Sequence, residues 1–346
     1  VGDQYLSDFQ PETAVEIFTD YREMISSGQI DAVNDFTIHS LHHQIAEVAF
    51  AHGKSLLSQK PLAVSMEGAR RMCARAEATG VTFGVFENLR FVPGVRHQHW
   101  AFSETGPAGR LQMAVMGNIG TWWAPDLIVA ETPWRHVLSE GGGMALDLGP
   151  HFFDMIRYIG GSEVTSVSAR TQIVEPTRYL LRNGAKVEPF SCDADDTFYA
   201  HFELASGAAG TMFGSWGGHG TNTVIGEGPV FYGEHGRVTG DTIHLDGKGA
   251  QSLSALYRDE APAALQEKHF PLGLTNDFAL AQLDWLRAIE GGTQPECSGA
   301  EGLRDLACAY AVVESNLAGR SVTIEEVESG SLRSYQKPID EKFGLY

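Results

Sequence analysis

One histidine, the two carboxylates that flank it and one lysine carry the strongest chemical signals in this chain. The segment Gly141-Gly-Gly-Met-Ala-Leu-Asp147-Leu-Gly-Pro-His151-Phe-Phe-Asp154 runs on to the glycine pair Gly160-Gly161. Asp147 and His151 are four positions apart and Asp154 lies three further on. A helix reaching back through Asp147 would set all three on one face. Pro150 suits a first helical turn and Gly160 the C-terminal end, which puts Asp147 just ahead of the start. A carboxylate one turn from an imidazole can fix its tautomer and raise its basicity. The imidazole is then a candidate general base for an alcohol proton, or general acid for a carbonyl. A capping aspartate and a satisfied core histidine would account for the same residues.

The second candidate is Gln59-Lys60-Pro61, directly after a short apolar run at Ser55–Ser58. Open parallel sheets bind ligands just beyond the C-terminal ends of their strands. An ammonium at Lys60 could donate to a substrate oxygen and stabilise developing alkoxide charge. Pro61 can hold an unusual turn, a cis bond included. A lysine before a proline is otherwise a commonplace surface turn.

Positioning these groups needs a scaffold, and the first third of the chain describes one. Strand patterns at Asp31–Thr37, Ser55–Ser58 and Val81–Val85 alternate with helical patterns. Ser40 is the expected cap of the first helix, whose apolar residues are Leu41, Ile45, Val48 and Ala49, with Gly53 as its stop. Ser65 caps the second, which Gly80 ends. Such alternation predicts a parallel sheet with helices on its faces. Beyond about Arg110 the runs become longer and β-rich, at Leu111–Met116, Glu163–Val174, Thr197–Leu204 and Ala208–Trp216. Phe198, Ala200, Phe202 and Leu204 alternate with polar partners, the mark of a sheet with one buried face. Helices follow at Asp277–Ile289 and Ala300–Leu317. The expected class is α/β: a parallel-sheet domain over residues 1–112, then an α+β domain with a large, mainly antiparallel sheet over 113–346.

With 346 residues the chain is long enough for two domains. Its formal charge of −19 argues against nucleic acid and anionic membranes as partners. It does not exclude a dinucleotide, whose phosphates are bound locally. No apolar run reaches the length that spans a bilayer. The four cysteines, Cys73, Cys192, Cys297 and Cys308, form no Cys-x-x-Cys pair, which fits reduced thiols in the cytoplasm. No signal-peptide pattern is visible, and Val1 leaves room for sequence upstream. His39, His42 and His43 cluster and His97 and His99 alternate, without the ligand spacing of a metal site. Trp122, Trp123 and Trp216 are either sugar-stacking platforms or core aromatics. Gly217-Gly-His-Gly220 reads as a turn between strands. No Gly-x-Ser-x-Gly sequence supports serine hydrolysis.

Taken in order, these segments resemble the Gfo/Idh/MocA family, the group of glucose–fructose oxidoreductase and inositol dehydrogenases. The resemblance rests on Asp31-Ala-Val33, Thr37-Ile38, His42, Gln59-Lys60-Pro61-Leu-Ala63, Glu87-Asn88-Leu-Arg90-Phe91-Val-Pro93 and Trp134-Arg135. It continues through the Gly141…Asp147…His151…Asp154 block and Phe278…Ile289-Glu-Gly-Gly…Glu314-Ser315…Gly319-Arg-Ser-Val322. Single motifs are weak; their order and spacing are specific. The resemblance implies a Rossmann-type first domain and an oxidoreductase that uses NAD or NADP on a sugar, inositol or polyol. It makes Lys60, Asp147 and His151 catalytic. It sets Thr37, His42, Gln59, Lys60, Pro61 and Asn88 against the cofactor. Arg90, Trp134 and Arg135, with Asp147 and His151, line the substrate cleft. It also implies a homo-oligomer, dimer or tetramer, paired through the open face of the second sheet.

Three departures stand out. The family's opening strand with its Gly-x-Gly-x-x-Gly turn is not found in residues 1–40, so the expectation is that it precedes Val1 and that Asp3 is the ribose-binding carboxylate. Gln59 replaces the usual Glu, which removes a charge beside Lys60. Ile38 replaces the usual Pro. A rival reading is a non-catalytic NAD(P)-binding sensor or regulatory subunit with the same fold.

Overall fold

The computed structural model describes residues 15–120, 125–220, 223–224 and 228–345. Asp3, Trp122 and Trp123, singled out in the sequence, lie outside them. A helix α1 (Tyr21–Ser26) opens the described chain, capped by the Asp20 side chain. Strands β1 (Ala32–Asp35), β2 (Ser55–Gln59) and β3 (Phe83–Phe86) then form a parallel sheet in the order β1-β2-β3. Val33, Leu56, Leu57 and Val85 are buried in it, as befits a sheet covered on both faces.

The crossovers are α2 (His39–Ala51) and α3 (Met66–Thr79). Ser65 caps α3 through the Gly68 amide, and Gly80 ends it at φ 71°, a left-handed position that favours glycine. The expected cap of α2 is corrected. Extended Ile38 precedes His39 with no side-chain cap, so Ser40 lies inside the first turn. Tertiary contact displaces the capping motif here, because the His39 ring is tied to the distant Glu140 carbonyl at 2.8 Å.

After α4 (Pro93–Ala101) the chain enters a ten-stranded sheet. Its strands are β4 (Leu111–Ile119), β5 (Val164–Gln172), β8 (Thr197–Leu204), β9 (Ala209–Ser215), β10 (Thr223–Val224), β11 (Val230–Gly233), β12 (Gly236–Thr239), β13 (Thr242–Leu245), β14 (Gly249–Ser252) and β15 (Val322–Thr323). The hairpin β6 (Thr177–Arg182) and β7 (Ala185–Ser191) stands apart as a two-stranded sheet. Pairing is antiparallel throughout the large sheet except between β4 and β9, which run parallel. On β8 the expected alternation holds: Phe198, Ala200, Phe202 and Leu204 are buried, while Tyr199, His201 and Glu203 face outward.

Helix α5 (Met144–Gly160) packs on the inner face of this sheet. Helices α6 (Leu253–Glu260) and α7 (Ala263–His269) follow β14, and α8 (Asp277–Gly291) returns to the parallel sheet. There Phe278 stacks near Phe86 and Gln282 donates to Asn34. Helix α9 (Gly299–Ala318) packs against α5, β5, α3 and β3, so it joins both sheets. Its approach to β3 is close: a Cβ on Gly299 would meet the Phe83 ring at 2.2 Å. The short helices α10 (Ile324–Glu328) and α11 (Lys337–Phe343) close the described chain. Among the described residues no helix is long and apolar enough to cross a membrane.

Candidate active site

Helix α5 carries the site, and it begins earlier than Pro150 suggested. It starts at Met144, so Asp147 sits in its first turn and Pro150 lies inside the helix. The reason is an external cap. The Met144 amide donates to the Asp195 carbonyl at 2.8 Å, and the Ala145 amide to the Asp195 carboxylate at 3.0 Å. A loop before β8 thus satisfies the orphan amides of the helix start. The C-terminal end agrees with expectation, at Gly160, with Gly161 as the left-handed cap.

Asp147 bridges two cations. Lys60 Nζ donates to the Asp147 carbonyl at 2.8 Å and to Oδ1 at 3.2 Å. Arg135 Nε donates to Oδ2 at 3.2 Å, and its Nη1 donates to Thr132 Oγ1 at 2.5 Å. Burial would raise the Asp147 pKa, but Lys60 and Arg135 outweigh it and hold the carboxyl at about 2. Arg135 in turn lies over the Trp134 ring, 4.3 Å from its centroid, and Trp134 packs on His39. Lys60 reaches this point from the end of β2, through a cis bond to Pro61. Gln59 Oε1 accepts from the Lys60 amide at 2.8 Å.

His151, one turn past Asp147, pairs elsewhere. Its Nδ1 lies 2.7 Å from Oε1 and 2.6 Å from Oε2 of Glu87, immediately after β3. The expected partnership of Asp147 with His151 is therefore corrected: two cations claim Asp147, and the imidazole is tied to Glu87. Sequence reasoning quoted Glu87 as part of a motif without giving it a role. The signal that could have found it was its place just past the end of a parallel strand. His151 also lines a cavity of about 370 Å³ with Met116, Asn118, Leu148, Phe152 and Trp216. Asn118 Oδ1 is buried there without a partner among the described residues.

Two expected ligand contacts fall elsewhere. Arg90 is buried and forked onto Asp154, with Nε 3.0 Å and 3.2 Å from the carboxylate oxygens and Nη2 bonded as well. It further donates to the Glu296 carbonyl and Glu301. Its guanidinium serves this ion pair and does not line the cleft. His42 is 0% exposed. Its ring nitrogens lie 3.1 Å from the Pro61 carbonyl and 3.2 Å from that of Thr37. It braces the turns after β1 and β2 from beneath and does not face a ligand.

Thr37, Lys60, Pro61 and Asn88 follow the C-terminal ends of the three parallel strands, and Gln59 is the last residue of β2, at the edge where open α/β sheets take ligands. Asn88 is held there by Asp277 at 2.5 Å. Asp35 Oδ2 and Ser58 Oγ, register neighbours across β1 and β2, are buried without partners among the described residues. Phe36 and Ile38 are exposed alongside. Unpaired polar atoms beside open apolar side chains fit a dinucleotide, which brings both hydroxyls and flat rings.

Comparison with known proteins converges on the same reading. Residues 4–87 match an oxidoreductase family described as an NAD-binding Rossmann fold. Residues 101–239 match the GFO/IDH/MocA C-terminal domain. D-xylose dehydrogenase of Paenarthrobacter nicotinovorans is 26% identical over 322 residues, covering 89% of this chain and 81% of its own. Myo-inositol 2-dehydrogenase of Thermotoga maritima is 24% identical over 331 residues, covering 94% and 90%. A levoglucosan dehydrogenase in complex with NADH and levoglucosan superposes with a TM-score of 0.74 at 24% identity, covering 93% and 86%. With two matched domains in the expected order and a lysine, an aspartate and a histidine gathered between them, the chain belongs to the Gfo/Idh/MocA family of oxidoreductases.

Proposed function

We propose that this protein is an NAD(P)-dependent dehydrogenase or reductase acting on a hydroxyl or carbonyl carbon of a sugar, inositol or related polyol. The observation that carries this reading is the convergence of Lys60 on Asp147, one helical turn from His151. Relatives named as xylose and inositol dehydrogenases support the substrate class. Bound at the edge formed by Thr37, Gln59, Pro61 and Asn88, a nicotinamide would supply the hydride acceptor or donor.

The chain's own residues do the rest. Lys60 donates a hydrogen bond to the substrate oxygen and stabilises the alkoxide as it forms. Asp147 holds the ammonium in place, and Arg135 balances the second carboxylate oxygen. His151 takes the hydroxyl proton in oxidation and returns it in reduction, a role worth about 10²- to 10⁴-fold. The cavity beside His151 receives the ring. Met116, Leu148 and Trp216 cover its C–H faces, and Asn118 pairs with a hydroxyl.

The protein works as a homo-oligomer paired through the outer face of the large sheet. Met113 and Tyr232 are exposed neighbours across β4 and β11, and Tyr199 packs near Phe213 across β8 and β9. Unpaired Cys73, Cys192, Cys297 and Cys308 suit the cytoplasm.

The test is turnover across a panel of aldoses, inositols and polyols, followed by nicotinamide absorbance with NAD and with NADP. Activity that falls at least about 100-fold in both Lys60→Ala and His151→Ala supports the assignment. Wild-type rates in both variants sink it. Cofactor binding without turnover on any substrate favours the sensor.

A further inference from the structure

The reaction proposed above leaves His151 charged once it holds the substrate proton, and a second carboxylate stands ready for that charge. We propose that Glu87 is a positioning residue for His151: it keeps the imidazole proton on Nδ1, leaves Nε2 open to accept from the substrate, and counterbalances the imidazolium. This inference rests on the role proposed for His151 and adds the residue through which that role is set.

Geometry singles out Glu87. Both of its carboxylate oxygens lie within 2.7 Å of His151 Nδ1. The residue is 2% exposed, so water does not compete for the contact. Its own placement is rigid. The Glu87 amide donates to the Val85 carbonyl at 2.9 Å, the Leu89 amide donates to Oε1 at 3.0 Å, and Cys297 Sγ donates to the Glu87 carbonyl at 3.4 Å. A carboxylate accepts only, so the proton between the two residues belongs to Nδ1. Nε2 then carries the lone pair. No described residue bonds to Nε2, and the ring borders the cavity. Asp147, the nearer carboxylate in sequence, is occupied by Lys60 and Arg135.

Charge in the surroundings keeps Glu87 ionised. Burial alone would raise its pKa; the charge that His151 carries once protonated, its hydrogen bond, the Leu89 amide and Lys60 outweigh that and lower it. Asp154, Asp305 and Cys297 are the other titratable groups that feel it. Arg90 and Arg157 neutralise the two aspartates. In the proton step the substrate O–H bond breaks and an N–H bond forms at Nε2. The Nδ1 proton stays where it is, shared with Glu87.

The experiment uses the full chain with its cofactor and a substrate found active in the panel. Glu87→Gln should lower kcat about 10- to 100-fold, with KM and the cofactor Kd within about threefold of wild type. The acid limb of its kcat–pH profile should move to lower pH, because the imidazolium loses its counter-charge. Glu87→Asp should recover part of kcat. Nitrogen-15 histidine spectra give a readout free of turnover. In wild type the His151 signal, assigned by its loss in His151→Gln, should show a protonated Nδ1, and Glu87→Leu, which removes the acceptor, should lose that pattern. If Glu87→Gln does not fold, the wild-type spectrum alone decides. A wild-type spectrum with the proton on Nε2 overturns the inference. So does a Glu87→Gln enzyme with wild-type kcat and pH profile while His151→Gln is inactive. Full activity in His151→Gln instead overturns the proposed reaction, and this inference with it.

Discussion

Lys60 and Asp147, 87 positions apart in the chain, meet through two hydrogen bonds from one ammonium, to the carboxylate at 3.2 Å and the helix carbonyl at 2.8 Å. This contact ties the end of a parallel strand in the first sheet to the first turn of the helix lying on the second. In the reaction proposed above, the ammonium so held meets the hydroxyl oxygen that loses its proton. Lys60→Met should therefore lower kcat about 10²- to 10³-fold, read from initial rates. Lys60→Arg should recover little, since a planar fork does not replace a point charge on a flexible stem.

Arg90 gives a prediction of the opposite kind. Its fork onto buried Asp154 makes it a structural residue. Arg90→Met leaves a carboxylate buried without its main partner and should cost about 3–5 kcal/mol in urea denaturation. Any folded variant should keep the wild-type KM. A raised KM with intact stability would return Arg90 to the substrate cleft.

His136 links stability to pH. Its Nε2 accepts from the Val129 amide at 3.1 Å, and burial, aided by Arg178, lowers its pKa from 6.5 to about 4. The unfolded chain therefore takes up this proton first as pH falls below 6.5, and the folded state is penalised increasingly down to about 4. His136→Gln keeps an acceptor and removes the titration. Relative to wild type, the variant should gain about 3 kcal/mol between pH 7 and pH 4 in urea midpoints converted to free energy. A constant difference across that range would refute the assignment.

Gly143 precedes α5 at φ 123°, and a Cβ there would lie 2.4 Å from Asp195 Oδ1. Asp195 caps that helix start. Gly143→Ala should cost about 1–3 kcal/mol of stability. It should also lower kcat, because Asp147 and His151 ride on the displaced turn. Thermal unfolding and initial rates on one preparation check both; unchanged kcat with lowered stability would mean that the strain stops short of Asp147.

Much of the scaffold was legible from local pattern. The three parallel strands, the Ser65 and Gly80 boundaries of α3, the alternation on β8 and the late helices follow from periodicity and turn chemistry, which short-range sterics impose. Where distant contacts supply the cap or the partner, local reading failed. Ser40 is no cap because His39 is anchored to Glu140. Pro150 is no helix start because Asp195 caps the helix from another loop.

The site divides along the same line. Sequence by itself determined which residue types were available for chemistry: Lys60 after a strand, and Asp147 and His151 at helical spacing. Only the tertiary structure decided who pairs with whom. It gave Asp147 to Lys60 and Arg135, gave His151 to Glu87, and withdrew Arg90 and His42 into the interior. Helical spacing fixes which side chains share a face. Which opposite charge meets them depends on packing between sheets and on the cost of leaving any buried charge alone, and that energy exists only in the folded chain.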